Sequence, residues 1–130
     1  MSDAFLQTIY STLNGDSTLV TTYGASIGWG LALNERDALP WVTFNTITDL
    51  YQDTKSEEIR RLFIDFIVTV SCEDDPVDVA YRVRTLLNNT TLAPTGWTHV
   101  ASKINGPVIL REDAHINQML LTGEFIIKKN

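Results

Sequence analysis

Between Arg61 and Cys72 the chain alternates without a break. Leu62, Ile64, Phe66, Val68, Val70 and Cys72 take one set of positions, and Arg61, Phe63, Asp65, Ile67, Thr69 and Ser71 take the other. A β-strand sends successive side chains to opposite faces, so this period of two predicts one long strand over residues 59–72 with one buried face. Helix geometry would scatter the same apolar residues around a cylinder.

The other elements are read relative to that strand. Phe5, Ile9 and Leu13 recur at a spacing of four, with Leu6 and Tyr10 beside them, which predicts a helix over 3–14 with Asp3 as its cap and Asn14-Gly15 as its stop. Gly15, Gly24, Gly28 and Gly30 suggest a turn followed by a short strand over 27–33. Pro40 opens a strand over 41–47, rich in β-branched and aromatic residues. A second helix starts at Asp75-Pro76, a capping residue followed by one suited to the first helical position, and runs to Leu87. Its stripe is Val79, Ala80, Val83, Leu86 and Leu87, with Arg82 and Arg84 turned outward. A loop over 88–96 leads to an extended stretch over 97–110, bent or bulged at Asn105-Gly106-Pro107. A turn over 111–114 then leads to a last strand over 115–128, where Met119, Leu121, Phe125 and Ile127 share a face.

The expected fold is α+β: one domain over 1–130, with a mostly antiparallel sheet of four to five strands and two helices on one face. The length of 130 residues suits one core. The polar stretch 48–58 reads as a loop carrying Asp49, Asp53, Glu57 and Glu58 against the single Lys55, long enough to be either mobile or used. The face of the long strand away from the helices still shows Phe63 and Ile67, which is either a partner surface or the ordinary scatter of exposed apolar groups.

Charge and motifs exclude several classes. Sixteen acidic against ten basic side chains leave a net charge of −6, and the only basic pairs are Arg60-Arg61 and Lys128-Lys129. A protein that grips nucleic acid by its phosphates needs a basic patch, so a dedicated binder is not expected, although such a surface lets DNA slide past. Cys72 is the sole cysteine, read as a small hydrophobe at a strand end, and no internal disulfide can form. No apolar run reaches membrane-spanning length and no signal-peptide pattern opens the chain, so a reducing cytoplasm is the expected setting. His99 and His115 are the only histidines; Asp113 and His115 lack the third ligand that catalytic zinc usually takes. Gly28-Trp29-Gly30 begins like a dinucleotide loop, but Leu33 stands where the third glycine belongs. The acidic runs at 49–58 and 73–78 read as a solvated loop and a helix start, and Trp29, Trp41 and Trp97 as packing residues near strand ends. No catalytic residue, cofactor or metal is expected.

The order of elements resembles a known family, the tail-completion or tail-terminator proteins of long-tailed bacteriophages. The opening helix around Phe5 and Leu13, Leu39-Pro40-Trp41-Val42-Thr43-Phe44, Phe66-Ile67-Val68-Thr69-Val70 followed by the helix from Pro76 to Leu87, and the closing Gly123-Glu124-Phe125-Ile126-Ile127 carry the likeness. The acidic run 73–75 is longer than the family pattern. The resemblance implies a ring, a hexamer, that caps the finished tail tube, stops its polymerisation and docks on the head connector while DNA passes through. It places the protein in the virion tail or neck, after assembly in the host cytoplasm. Subunit contacts are expected at Tyr51, Phe63 and Ile67, and an acidic lumen at Asp49, Asp53, Glu57 and Glu58. Two other readings stay open: a neck protein on the portal side, and a small ligand-binding or enzymatic domain, which would need a deep pocket with converging polar groups.

Overall fold

A computed structural model describes residues 2–29, 39–51, 58–89 and 92–130. The elements run α1 (Ser2–Asn14), a π-helical turn (Thr18–Thr22), β1 (Ser26–Trp29), β2 (Trp41–Tyr51), β3 (Ile59–Ser71), α2 (Val77–Asn89), β4 (Trp97–Glu112) and β5 (Ile116–Lys129). The strands form a five-stranded sheet in the order β1-β2-β3-β5-β4. Every neighbouring pair is antiparallel except β1 with β2.

The long alternating strand is central. β2 pairs along one side of it and β5 along the other, from Ile59 opposite Lys128 to Ser71 opposite Ile116. Its even-numbered apolar residues are buried in the core with Val42 and Phe44 of β2 and Leu121, Phe125 and Ile127 of β5. Phe5, Ile9 and Leu13 of α1 and Ala80, Val83 and Leu87 of α2 join the same cluster, so both helices cover one face of the sheet. Aromatic rings run through this layer in a circuit. Phe5 lies 5.2 Å from Phe125, Phe125 is 6.3 Å from Phe66, Phe66 is 5.7 Å from Phe44, Phe44 is 6.1 Å from Trp29, and Trp29 meets Tyr10 at 5.3 Å. The circuit leaves α1, crosses four strands and returns to α1 at spacings favourable for tilted and edge-on rings.

Polar clamps fix the helices on this layer. Asp16 accepts from Arg82 Nη2 at 2.7 Å and Nε at 2.9 Å, and from the Leu19 amide at 3.1 Å. The hydrogen bond from Arg82 is the main reason the Asp16 carboxyl is held below its ordinary range. Arg84 donates to the Gly106 carbonyl. These two arginines, expected to face outward, therefore tie α2 to the π-helical turn and to β4. At the bend in β4, Gly106 has φ +96° and a Cβ there would stand 2.7 Å from the Leu120 carbonyl oxygen, so the position requires glycine. The α2 cap follows expectation: Asp75 Oδ1 accepts from the Val77 amide at 3.0 Å.

Four expectations need correction. The stretch 48–58 is not all loop, because β2 continues through Tyr51, paired with β3. β4 extends to Glu112, so the turn is shorter than 111–114. The turn after α1 holds a π-helical segment that local sequence did not announce. Cys72 lies one residue past β3 and is exposed, so it is not packed as a hydrophobe. The side chain of Asp3 and residues 30–33 of the expected short strand lie outside the described residues.

The β4–β5 turn is built on one carboxylate. Asp113 accepts from the amides of Ile116 at 2.9 Å and His115 at 2.7 Å and pairs with Arg111. These bonds, with Ile116 first and His115 second, push its pKa down to about 2. A depressed carboxyl pKa gives stability that is present above the unfolded value of about 4 and is lost as pH falls through the folded value. Asp113→Asn should therefore lower the urea midpoint at pH 7, and the gap from the parent should close as pH drops from about 4 toward 2. A core test is Phe66→Ala, expected to cost about 3–5 kcal/mol in urea unfolding, because Phe66 is fully buried between two aromatic neighbours.

Candidate interaction surface

The β-bulge in β2 decides where the candidate residues point. Thr46 pairs with Ile64, but Thr48 pairs with Phe63, so Ile47 is the extra residue and the phase of the strand reverses there. Asp49 consequently falls opposite Leu62, on the covered face. It lies 3.6 Å from Arg60, a side chain only 9% exposed, which also holds Glu58 at 3.1 Å. Lys129 Nζ stands 3.7 Å from the other Glu58 oxygen. Two of the four carboxylates expected to be free in a loop are thus neutralised at the foot of β2 and β3. A buried guanidinium needs such partners, since its charge is costly to bury alone. Asp53 and Glu57 lie outside the described residues. The Tyr51 backbone pairs with Arg60 at the end of β2, and its side chain is also outside the described set.

Phe63 and Ile67 do sit on the face opposite the helices, and both are half-buried. Phe63 lies between Thr48 and Glu124, and Ile67 between Thr43 and Leu120. Polar pairs tile the spaces around them. Arg61 meets Glu124 at 3.1 Å, Thr122 donates to Asp65 at 3.2 Å, and Gln118 donates to the Thr69 hydroxyl at 3.0 Å. Among the described residues the face is a shallow mosaic of half-buried apolar groups and polar side chains that meet one another.

Larger exposed apolar groups lie at the flanks, where the sequence reading did not look. They are Ile47 and Leu50 on β2 and Val100, Val108, Ile109 and Leu110 on β4. Alternation hides their exposure, because it assigns β4 residues to faces while the bulges at 99/101, 105/108 and 109/111 shift the register. The unbroken aliphatic run Val108-Ile109-Leu110 just after Pro107, which departs from alternation, was the available signal.

The remaining candidates stay apart. His99 opposes Ile127 near the start of β4, whereas His115 lies in the turn at the other end of the hairpin. Burial lowers the His99 pKa. Among the described residues no three His, Cys, Asp or Glu side chains group as a metal site, and no helix is long and apolar enough to cross a membrane. An open cleft of about 350 Å³ lies between the start of α2 and the β4–β5 hairpin, lined by Asp74, Asp75, Ile109, Glu112, Asn117 and Met119 among others. Both of its amide side chains are already donating, Asn117 to the Asp74 carbonyl at 3.0 Å and Gln118 to the Thr69 hydroxyl at 3.0 Å.

No family model and no curated protein matches the sequence. The fold does have solved counterparts. A chain of the virion of a native gene transfer agent particle superposes with a TM-score of 0.78 at 15% identity, over 92% of this chain and 91% of that one. The gp17 protein of bacteriophage SPP1 superposes with a TM-score of 0.60 at 19% identity, over 95% of this chain and 88% of the other. At these identities the likeness establishes a common fold, which the chain shares almost from end to end.

Proposed function

We propose that the chain is a non-enzymatic structural subunit of a phage-type virion, of the head–tail joining class, and within that class a tail terminator. In this reading the 130 residues act as one domain, and six copies close into a ring on the end of the tail tube. The ring stops addition of further tube protein and presents its other side to the head connector, and DNA passes through without specific binding. The station is the tail or neck of the particle, reached after assembly in the host cytoplasm. The observation that carries the reading is the end-to-end fold shared with a chain of a gene transfer agent virion, joined to a sheet face that no described helix covers. A net charge of −6, from sixteen acidic and ten basic residues, supports passage of DNA rather than its capture.

Phe63 and Ile67, with Tyr51 at the end of β2, are assigned to surface covered in the assembled ring. Phe63→Asp places a charge on that surface and is expected to weaken assembly on tube ends by more than about 2 kcal/mol, read as loss of capped tubes by electron microscopy. Unchanged capping removes the assignment. The acidic lumen is tested at Asp53 and Glu57, because reversal of Asp49 or Glu58 would set a second cation against Arg60. Asp53→Lys with Glu57→Lys should leave assembly intact and slow DNA ejection; normal ejection kinetics would refute a lumenal role. A portal-side neck protein could share this architecture, and isolated components separate the two readings: a tail terminator binds purified tubes, a neck protein binds heads.

A further inference from the structure

We infer that the corner where β4 begins is an acid-sensitive latch, closed while His99 is neutral and opened when its ring takes up a second proton. β4 is an edge strand, paired only with β5 among the described residues. Its first three residues form a short ladder of their own: Trp97 opposite Lys129, Thr98 opposite Lys128 and His99 opposite Ile127. A register break between His99 and Ala101 then leaves Val100 without an opposite residue. On the other side stands Gly96, with φ +90°. The short ladder is thus hinged at both ends. Few backbone bonds hold it, and the end of an edge strand opens at far lower cost than the centre of a sheet.

His99 lies on the helix-covered face, directly opposite the buried Ile127. Its Nε2 is shut off from solvent and has no hydrogen-bond partner among the described residues. A neutral imidazole tolerates this, because one of its nitrogens is a bare lone pair. An imidazolium does not, because both nitrogens then carry protons, and a buried charged N–H without an acceptor is costly. Burial accordingly holds the His99 pKa below the ordinary value and outweighs the Ala101 backbone contact that acts in the opposite sense.

The charges around the ring also resist a further cation. β4 packs against β5 and α2. From β5, Lys129 flanks His99 on the covered face, opposite Trp97, while Lys128 alternates to the open face. Across Ile127, Arg60 of β3 occupies the same row, about 10 Å away at ordinary strand spacing. The nearby carboxylates, Asp49 of β2 and Glu58 ahead of β3, are engaged with Arg60, and Glu58 also with Lys129. On α2, Asp78 stands in the first turn, Arg82 pairs with Asp16 and Arg84 donates to the Gly106 carbonyl. The part of α2 that meets β4 near His99 does so through Leu87, whose carbonyl accepts from Ser102. Burial and charge both favour the proton in the open corner over the closed one. The closed corner is therefore fully stable above the ordinary histidine value of about 6.5 and weakens as pH falls through it. Opening frees the backbone groups of 127–129 that face β4 and releases Trp97, which packs against the core when the latch is shut.

The experiment is hydrogen exchange of the purified full chain, read by mass spectrometry between about pH 7.5 and about pH 5 and corrected for the pH dependence of intrinsic exchange. Protection of residues 97–101 and 127–130 should fall at least roughly threefold over that range, while β3 and the middle of β5 keep theirs. His99→Gln and His99→Phe should each flatten the profile of the corner; the two differ in polarity, so a variant that melts early by circular dichroism is replaced by the other. His115→Gln, at the far end of the hairpin, should leave the parent's profile intact, and loss of the response in that variant overturns the latch. A corner whose protection does not change with pH overturns it, as does a loss spread evenly over the sheet. A loss that persists in both His99 variants also overturns it and assigns the acid response to Asp49 and Glu58. In the parent, the His99 ring resonance should titrate below about 6.5; titration above that value overturns the latch whatever the variants do.

Discussion

Burial of one face of β3 is the constraint on which the rest of the molecule depends. Leu62, Ile64, Phe66 and Val68 have no exposure at all. Each large apolar side chain taken from water contributes about 1.5–3 kcal/mol, so the strand alone supplies stabilisation comparable to the net stability of a small protein. That face must be roofed, and the two 13-residue helices do it. Neither would persist as an isolated peptide, since helices of this length are marginal without a surface to pack against. The dependence is mutual, and the aromatic circuit from Phe5 to Tyr10 is its continuous seam.

The helices cover one side of the sheet, and no described helix covers the other. On the open face Arg61 is paired with Glu124, Asp65 accepts from the Thr122 hydroxyl, the Thr69 hydroxyl accepts from Gln118, and Phe63 and Ile67 are half-sunk between neighbours. Such a surface suits repeated protein–protein contact, because covering it strands few polar groups. The flanks differ. Bulges in β2 and β4 push aliphatic side chains into solvent, a costly arrangement for a monomer and an ordinary one for a subunit. The same distortions serve specificity, since an irregular edge resists indiscriminate strand addition.

The ion cluster at Arg60 shows how charge is handled where the sheet ends. The guanidinium is almost fully enclosed, and Asp49 approaches it from β2 and Glu58 from just before β3. Glu58 also receives Lys129 from the closing strand, so β2, β3 and β5 are tied at one corner.

Much of this was written in local sequence. Period two predicted β3 to within a residue, spacing of four predicted α1, Asp75-Pro76 predicted the start of α2, and Asn105-Gly106-Pro107 marked the break in β4. These features depend on the chain's own dihedral preferences and on which side of an element is apolar, and both are encoded within a few residues. The inward turn of Asp49, the extension of β2 to Tyr51, the clamps from Arg82 to Asp16 and from Arg84 to Gly106, and the parallel pairing of β1 were not legible. Each depends on a partner distant in the chain: a bulge exists only relative to the opposing strand's register, and an arginine faces outward until another element brings it an acceptor. Sequence alone determined which residues had to be hidden; only the tertiary structure decided which charges were neutralised and which apolar groups remained exposed, because register and packing set those contacts together.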